Sequence, residues 1–441
     1  MRERHSPFSL SRTRRGTAYV VAVGIGLMVA AISLGGMAFA RTRAASNKLR
    51  RDEVQSRVVA RSAIELARSL IKADSSWRNN RVNGTWASDD LLDAHYEVSV
   101  TNPSGALNNS ALDSVIVVGD ATVGLSRQRL SVQLDAKTVP LNCLAIPLVV
   151  GGAVSAATST LNPAGATVAT NLSFTSILAT IRPNVEASTT IVGTGFAGTT
   201  SAGVAARTLP SSTVFDSYIA SGTSIAIGSL PVVSTKPTLQ KCVLSPASNP
   251  YGATNANGIY VIDCQGQSLV VTNCRIVGTL VVLNPGASTA VTGGVRWMPA
   301  VSNYPCLLVR GNMLLQFSGA NLSESTQATN FNPPGTPYIY PTGTTDTDTS
   351  DSYPSSIMGL VYASGNVTTS NSPTISMLIA GGNLTLGGTV TLAYDSTYYN
   401  SPPPGFYTVT MTPSQGSWRR VTDDPPVSST STTKGAAVVG N

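Results

Sequence analysis

Charge is scarce in this chain. Asp, Glu, Lys and Arg make up 12% of its 441 residues, against about a quarter in an average soluble domain. Only two histidines are present, His5 and His95. That leaves little from which to assemble a zinc site or a Ser/His/Asp arrangement. The five cysteines include no C-x-x-C pair, and their odd count forbids full internal pairing. Cys264 and Cys274 lie in one strand-rich stretch and form a possible disulfide if the chain is exported to an oxidising compartment; buried apolar thiols are the competing reading. The glycine pairs Gly293-Gly294 and Gly381-Gly382 lack the following helix and lysine of a phosphate loop. No cofactor is expected.

What the chain does have is apolar supply, 42% of its residues, set among Ser, Thr, Gly and Asn. This mixture suits a β-rich exported protein and argues against disorder along the whole length. The net charge of +7 is unevenly spread: 16 of 29 Lys/Arg and 5 of 22 Asp/Glu fall in residues 1–81, leaving the remainder at −4. The basic character therefore surrounds one hydrophobic segment, where it favours anionic lipid. Basic residues interleaved with aromatics across a folded face are missing, so nucleic acid is not an expected partner.

That segment, residues 17–40, runs 24 residues without a charge. As a helix it spans about 36 Å, enough to cross a ~30 Å hydrocarbon core. Gly24, Gly26, Gly35 and Gly36 suit a span that packs against neighbours. The apolar core is too long for a secretory signal peptide, although Ala38-Phe39-Ala40 supplies a small-x-small site. Residues 41–74 continue without Pro or Gly, and Val54, Val58, Val59, Ala63, Ile64, Leu66, Ala67 and Leu70 approximate a helical stripe. A juxtamembrane coiled coil is the plainer account of that stripe.

The leader, residues 1–16, carries five arginines and ends in Arg14-Arg15-Gly16, directly before the apolar run at Thr17. A basic leader, a glycine and an unbroken membrane helix with a helical stalk resemble type IV pilins and pseudopilins. The resemblance implies cleavage by a prepilin peptidase after Gly16, with Thr17 as the new N-terminus, and other pilin-like subunits as partners. Two departures stand out: Thr17 replaces the usual Phe or Met, and Val21 replaces the Glu of major pilins. A neutral residue there is similar to PilX-type minor pilins and the K-type minor pseudopilin, whose place is accessory or at a tip.

Beyond the stalk, alternating runs at 96–100, 115–118 and 130–134 read as short strands of a small pilin-like β region, residues 75–140. From 141 to 412 a local pattern recurs: apolar strand, Gly-Asn, apolar strand, at Gly311-Asn312, Gly365-Asn366 and Gly382-Asn383. The last two pairs are 17 residues apart; the first is separated by 54, of which a polar, Pro-rich insertion at 324–356 takes 33. A spacing near 20 predicts a parallel β-helix-like solenoid, with Gly and Asn serving left-handed corners. A β-sandwich is the alternative. Residues 413–441, rich in Pro, Ser and Thr, read as a disordered tail.

The fold class expected is thus α+β: a long N-terminal transmembrane and stalk helix followed by an all-β body. Asp346, Asp348 and Asp351 form the sharpest acidic cluster, but calcium-loop spacing, its glycine and its distal Glu are missing, which favours a solvated loop and no metal. Asp216, Asp263 and Glu186 are scattered rather than paired, which argues against a polysaccharide-cleaving enzyme. His95 reads as a surface or packing residue. The expectation is a non-enzymatic, single-pass protein of the inner (cytoplasmic) membrane, its body exported to periplasm or cell surface. The lipid bilayer is one partner, and the ligand of the body, glycan or protein, is unspecified. A membrane-tethered β-helical adhesin or envelope protein outside any pilus system is the alternative.

Overall fold

A computed structural model describes residues 14–91, 93–336 and 344–422; most of the leader and the end of the expected tail lie outside these. The chain forms a long N-terminal helix followed by an all-β body, as its pattern predicts. It divides into two compact units: residues 1–137 with 409–441, and residues 138–408.

The first unit is built on helix α1 (Arg14–Ala73) and an antiparallel sheet. The sheet is a meander of β1 (Gly84–Leu91), β2 (Ala94–Thr101), β3 (Val115–Val123) and β4 (Ser126–Pro140). β3 alternates strictly between buried and half-exposed residues, the signature of a sheet with one face covered. The cover is the second half of α1: Ala63, Ile64, Ala67 and Ile71 pack with Trp77, Val98, Val100, Val115, Val117, Val132 and Leu134. Each fully buried aliphatic side chain contributes about 1.5–3 kcal/mol.

The helical stripe is shifted from the expected one. Val54 and Val58 are exposed, and the buried face instead runs through Ser56, Val59, Ala60, Ala63, Ile64 and Ala67. Small residues win because the sheet comes very close: a Cβ on Gly119 of β3 would overlap the Ala60 carbonyl. This packing replaces the coiled-coil account.

Two further features concern the ends of this unit. Besides the three expected strands, the 75–140 region contains β1, an outer strand whose Asp89 and Asp90 face solvent. The expected tail begins too early at 413. Tyr407–Pro413 and Arg419–Arg420 both pair with β4, and Ser414 N donates to Gln133 O at 2.8 Å. The second unit is therefore an insertion within the sequence of the first.

The second unit is a β-helix-like body with parallel ladders, a register that a β-sandwich does not have. One row of inward residues runs Tyr260, Leu280, Leu307, Val361, Leu378, Leu148, Val168, Val185, each directly over the next. The row is out of sequence order because the chain enters the stack in the middle. Coils from 148 to 202 build one way; the chain then passes through the helix Val214–Ser221 and returns through coils from 223 to 392, which close on Leu148–Val150.

The adjacent outward row is apolar as well: Val261, Val281, Leu308, Tyr362, Ile379, Val149, Ala169. These residues are covered by Leu141, Leu144, Val214, Phe215, Tyr218, Tyr398 and Phe406. The tyrosines satisfy their hydroxyls on the way, Tyr218 to Pro404 O at 3.1 Å and Tyr398 to Tyr304 O at 3.2 Å. Burial on both faces explains why these strands are continuous apolar runs.

The Gly-Asn repeats stack into one corner. Asn312 Oδ1 accepts from Asn366 N, Asn366 Oδ1 from Asn383 N, and Asn383 Oδ1 from Ala153 N, each at 2.8 Å. The glycines are needed for space: a Cβ on Gly365, Gly382 or Gly152 would overlap the asparagine below. Left-handed backbone, expected here, belongs to a different corner, at Lys241, Asn273, Gly293, Asn371 and Gly388. Gly382→Ala should therefore destabilise the body by about 1–3 kcal/mol through overpacking, and Asn366→Ala by about 1 kcal/mol through the lost acceptor. Chemical denaturation of the two variants checks both the size and the order of these losses.

Candidate functional site

The feature that sets this chain apart is the first half of α1. Residues 18–40 carry no charge, and their large side chains are exposed from Tyr19 to Phe39. Nothing lies within 4 Å of where a Cβ would stand on Gly24, Gly26, Gly35 or Gly36. An exposed apolar helix of this length is a candidate membrane anchor. The hydroxyls of Ser33 and Thr42 are already satisfied: Ser33 donates to Val29 O at 2.7 Å, and Thr42 to Ala38 O at 2.8 Å. A polar group in hydrocarbon needs such a partner.

Immediately after the apolar stretch come Arg41, Arg43, Lys48, Arg50 and Arg51, all exposed, a placement that suits a lipid headgroup region. The helix then passes without interruption into the face that packs on the sheet. Arg14, Arg15, Gly16 and Thr17 form the first turn of α1, and Val21 stands exposed one turn further on. The predicted processing residues thus lie in the N-terminal turns of this helix.

Other chemistry-bearing residues are dispersed. Asp216 meets Arg310 at 3.4 Å, Glu186 meets Arg207 at 2.7 Å, and Asp263 accepts from Asn284 at 2.9 Å. Asparagine and backbone donors hold the Asp263 carboxyl below its ordinary range. Sequence reading missed one constellation: His95 Nδ1 lies 2.7 Å from Asp90 Oδ1, and its Nε2 lies 3.4 Å from Ser88 Oγ. The order is that of a catalytic triad, but the three residues stand exposed on the β1–β2 hairpin, where water competes for every contact. We read it as a cross-strand polar network. Register alone creates it, because Asp90 is paired with His95 across the hairpin.

All five cysteines are free and buried. Cys274 lies 3.6 Å from Cys242 rather than bonded to Cys264. The parallel register puts Val243 beside Arg275, which sets the two preceding cysteines side by side. Linear spacing could not reveal this, because the neighbour comes from the adjacent coil.

The arrangement defines a class: a protein with a long N-terminal apolar helix, a candidate membrane anchor, followed by an all-β body. No protein-family model matches the chain, and no curated protein matches it. Among solved structures, one similar chain is the competence-associated pilin ComZ from Thermus thermophilus. That likeness has 10% identity and a TM-score of 0.28, covering 84% of this chain and 97% of ComZ. A likeness at that score and identity carries no functional argument.

Burial raises the thiol pKa of Cys143 and Cys264 to about 12 and pushes those of Cys274 and Cys306 upward as well. A raised thiol pKa suppresses the thiolate at any pH below it, to a fraction of about 10⁻⁴ at pH 8 for Cys143. Alkylation of these four thiols at pH 8 should be at least ~100-fold slower than that of a free cysteine and should become complete only on unfolding, as followed by mass spectrometry.

Proposed function

We propose that this chain is a pilin-like, membrane-anchored structural subunit of a type IV pilus or a type II secretion-like assembly, of the accessory, PilX-like kind. The observation that carries the reading is the continuity of α1. One helix presents an uncharged, exposed half suited to lipid or to neighbouring helices, and a second half that is the spine of an antiparallel sheet. Such a rod can be drawn from a bilayer into a helical bundle without refolding its head, because the two halves bury different faces in different surroundings.

In this reading a prepilin peptidase cuts between Gly16 and Thr17, the anchor sits in the cytoplasmic membrane, and the β-helix is displayed outside for surface contacts. Val21 leaves the amine of a neighbouring subunit without a carboxylate partner in lipid. Repeated stacking is thereby disfavoured and a terminal or accessory position favoured. The body works by adhesion and packing, with no bond chemistry.

A second reading keeps the anchor and the β-helix but places the protein outside any pilus system. The intact mass of the mature protein separates the two. A chain starting at Thr17, reverting to one starting at Met1 when the peptidase is deleted, is the expected result; a mature chain starting at Met1 or Arg41 in cells with the peptidase overturns the pilin-like reading.

A further inference from the structure

The coil of residues 223–244 stands at one end of the β-helix. Its strands Thr223–Ser224, Lys236–Gln240 and Val243–Leu244 ladder in parallel onto the next coil, at 260–261, 270–272 and 275–276. Among the described residues no parallel ladder joins it from the other side. A terminal repeat is held by one interface where an interior repeat has two. Such an end is the first part of a repeat stack to open.

Cys242 and Cys274 meet at a corner shared by these two coils. The register offset is 32 residues on both sides of the pair, with Gln240 beside Thr272 and Val243 beside Arg275. Two backbone hydrogen bonds straddle it: Lys241 N donates to Asn273 O at 2.9 Å, and Arg275 N to Cys242 O at 3.1 Å. Lys241 and Asn273 share a left-handed backbone, φ 48° in both, so the two corners follow the same path. Neighbouring strands stand about 4.7–4.9 Å apart, inside the ~4.4–6.8 Å between Cα atoms that a disulfide spans. The two Sγ atoms already lie 3.6 Å apart, and the ~2.05 Å of a bond is within reach of side-chain rotation. Cys264, by contrast, stands at the turn between Ile259–Asp263 and Val270–Val277, where its N donates to Leu283 O at 2.8 Å.

We propose that Cys242 and Cys274 form a cross-coil disulfide site, oxidised by a disulfide-bearing thiol oxidant, and that the bond staples the terminal coil to its neighbour. Cys242 is the entry thiol, being 6% exposed where Cys274 is fully buried. Opening of the terminal coil admits the oxidant. The Cys242 thiolate attacks one sulfur of the oxidant, forming a mixed disulfide and releasing the first oxidant thiol. Cys274 then attacks Cys242 Sγ, and the new S–S bond expels the second thiol. The chain gives up two protons and two electrons; the oxidant's S–S bond takes both pairs and leaves as two thiols. This chemistry needs no pilus and holds equally for either reading of the anchor.

The test uses the full-length protein in detergent, fully reduced and then incubated with excess glutathione disulfide. Maleimide labelling after denaturation should count five thiols before oxidation and three after it, with no glutathione retained in the intact mass. Trypsin and chymotrypsin together cut between Cys242, Cys264 and Cys274, and their digest should contain Cys242 linked to Cys274. Cys264→Ser should keep that link, while Cys242→Ser and Cys274→Ser should form no bond within the chain. Amide exchange over 236–244 should slow tenfold or more on oxidation and stay unchanged over 307–317. Five labels after oxidation, a link that includes Cys264, a lasting glutathione adduct in place of the link, or unaltered exchange over 236–244 would each overturn the proposal. The labelling, mapping and exchange of the unsubstituted chain decide the matter even if a variant fails to fold.

Discussion

The body depends on one seam, where the last coils of the chain close on the first. Gly151 N donates to Ala380 O at 2.7 Å, Gly152 N to Gly382 O at 2.9 Å, Leu378 N to Pro147 O at 2.8 Å and Leu384 N to Ala153 O at 2.9 Å. These bonds join strands more than two hundred residues apart in sequence. Without them each half of the β-helix would present an open parallel edge at the seam, a template for pairing with other chains. With them, the only route from one half to the other is outside the stack. The crossing segment, with Phe215 and Tyr218, covers the outward row of the first ladder, and the covered strands must then be apolar on both faces. The low charge of the sequence follows in part from that cover.

A second constraint acts on α1, which has to suit two surroundings with one backbone. Over 18–40 every polar backbone group is paired within the helix, and the side chains ask for nothing but apolar contact. Past the cationic residues at 41–51 the same helix becomes half of a helix–sheet sandwich whose tolerance is set by Ala60, Ala63 and Gly119. A larger residue at any of these would push the rod off the sheet. The exposed valines at 54 and 58, which looked like core in the sequence, are the outer side of that contact.

Much was legible where the physics is local. A charge-free run, a Pro-free stalk and a Gly-Asn pair recurring between apolar strands each express a constraint acting within one element or between successive coils. The corner ladder of Asn312, Asn366 and Asn383 shows why: each asparagine serves the coil next to it, so the residue must repeat. What was not legible is long-range order. Nothing in Leu148-Val149-Val150 says that its partner is Leu378-Ile379-Ala380. Likewise Pro413 and Arg419 look like tail residues until β4 is there to receive them. In the same way Asp90 and His95 become neighbours only through hairpin register, and Cys242 and Cys274 only through stacking.

Glu324 shows how the two kinds of information combine. In the sequence it opens a polar insertion with nothing to mark it out, and the aspartates at 346, 348 and 351 look like a solvated turn. The antiparallel neck at Leu322–Ser323 and Ser352–Tyr353 brings them together, because a closed neck sets the residues just inside it side by side. A β-helix can accept such an excursion at little cost, since the coils on either side re-form their ladder at once, Arg296 beside Ser356 and Leu307 beside Val361. The stack therefore supplies the rigidity, while the excursion is left to carry groups that a regular coil could not bury. That division places a buried, hydrogen-bonded carboxylate at a break in the repeat rather than within it.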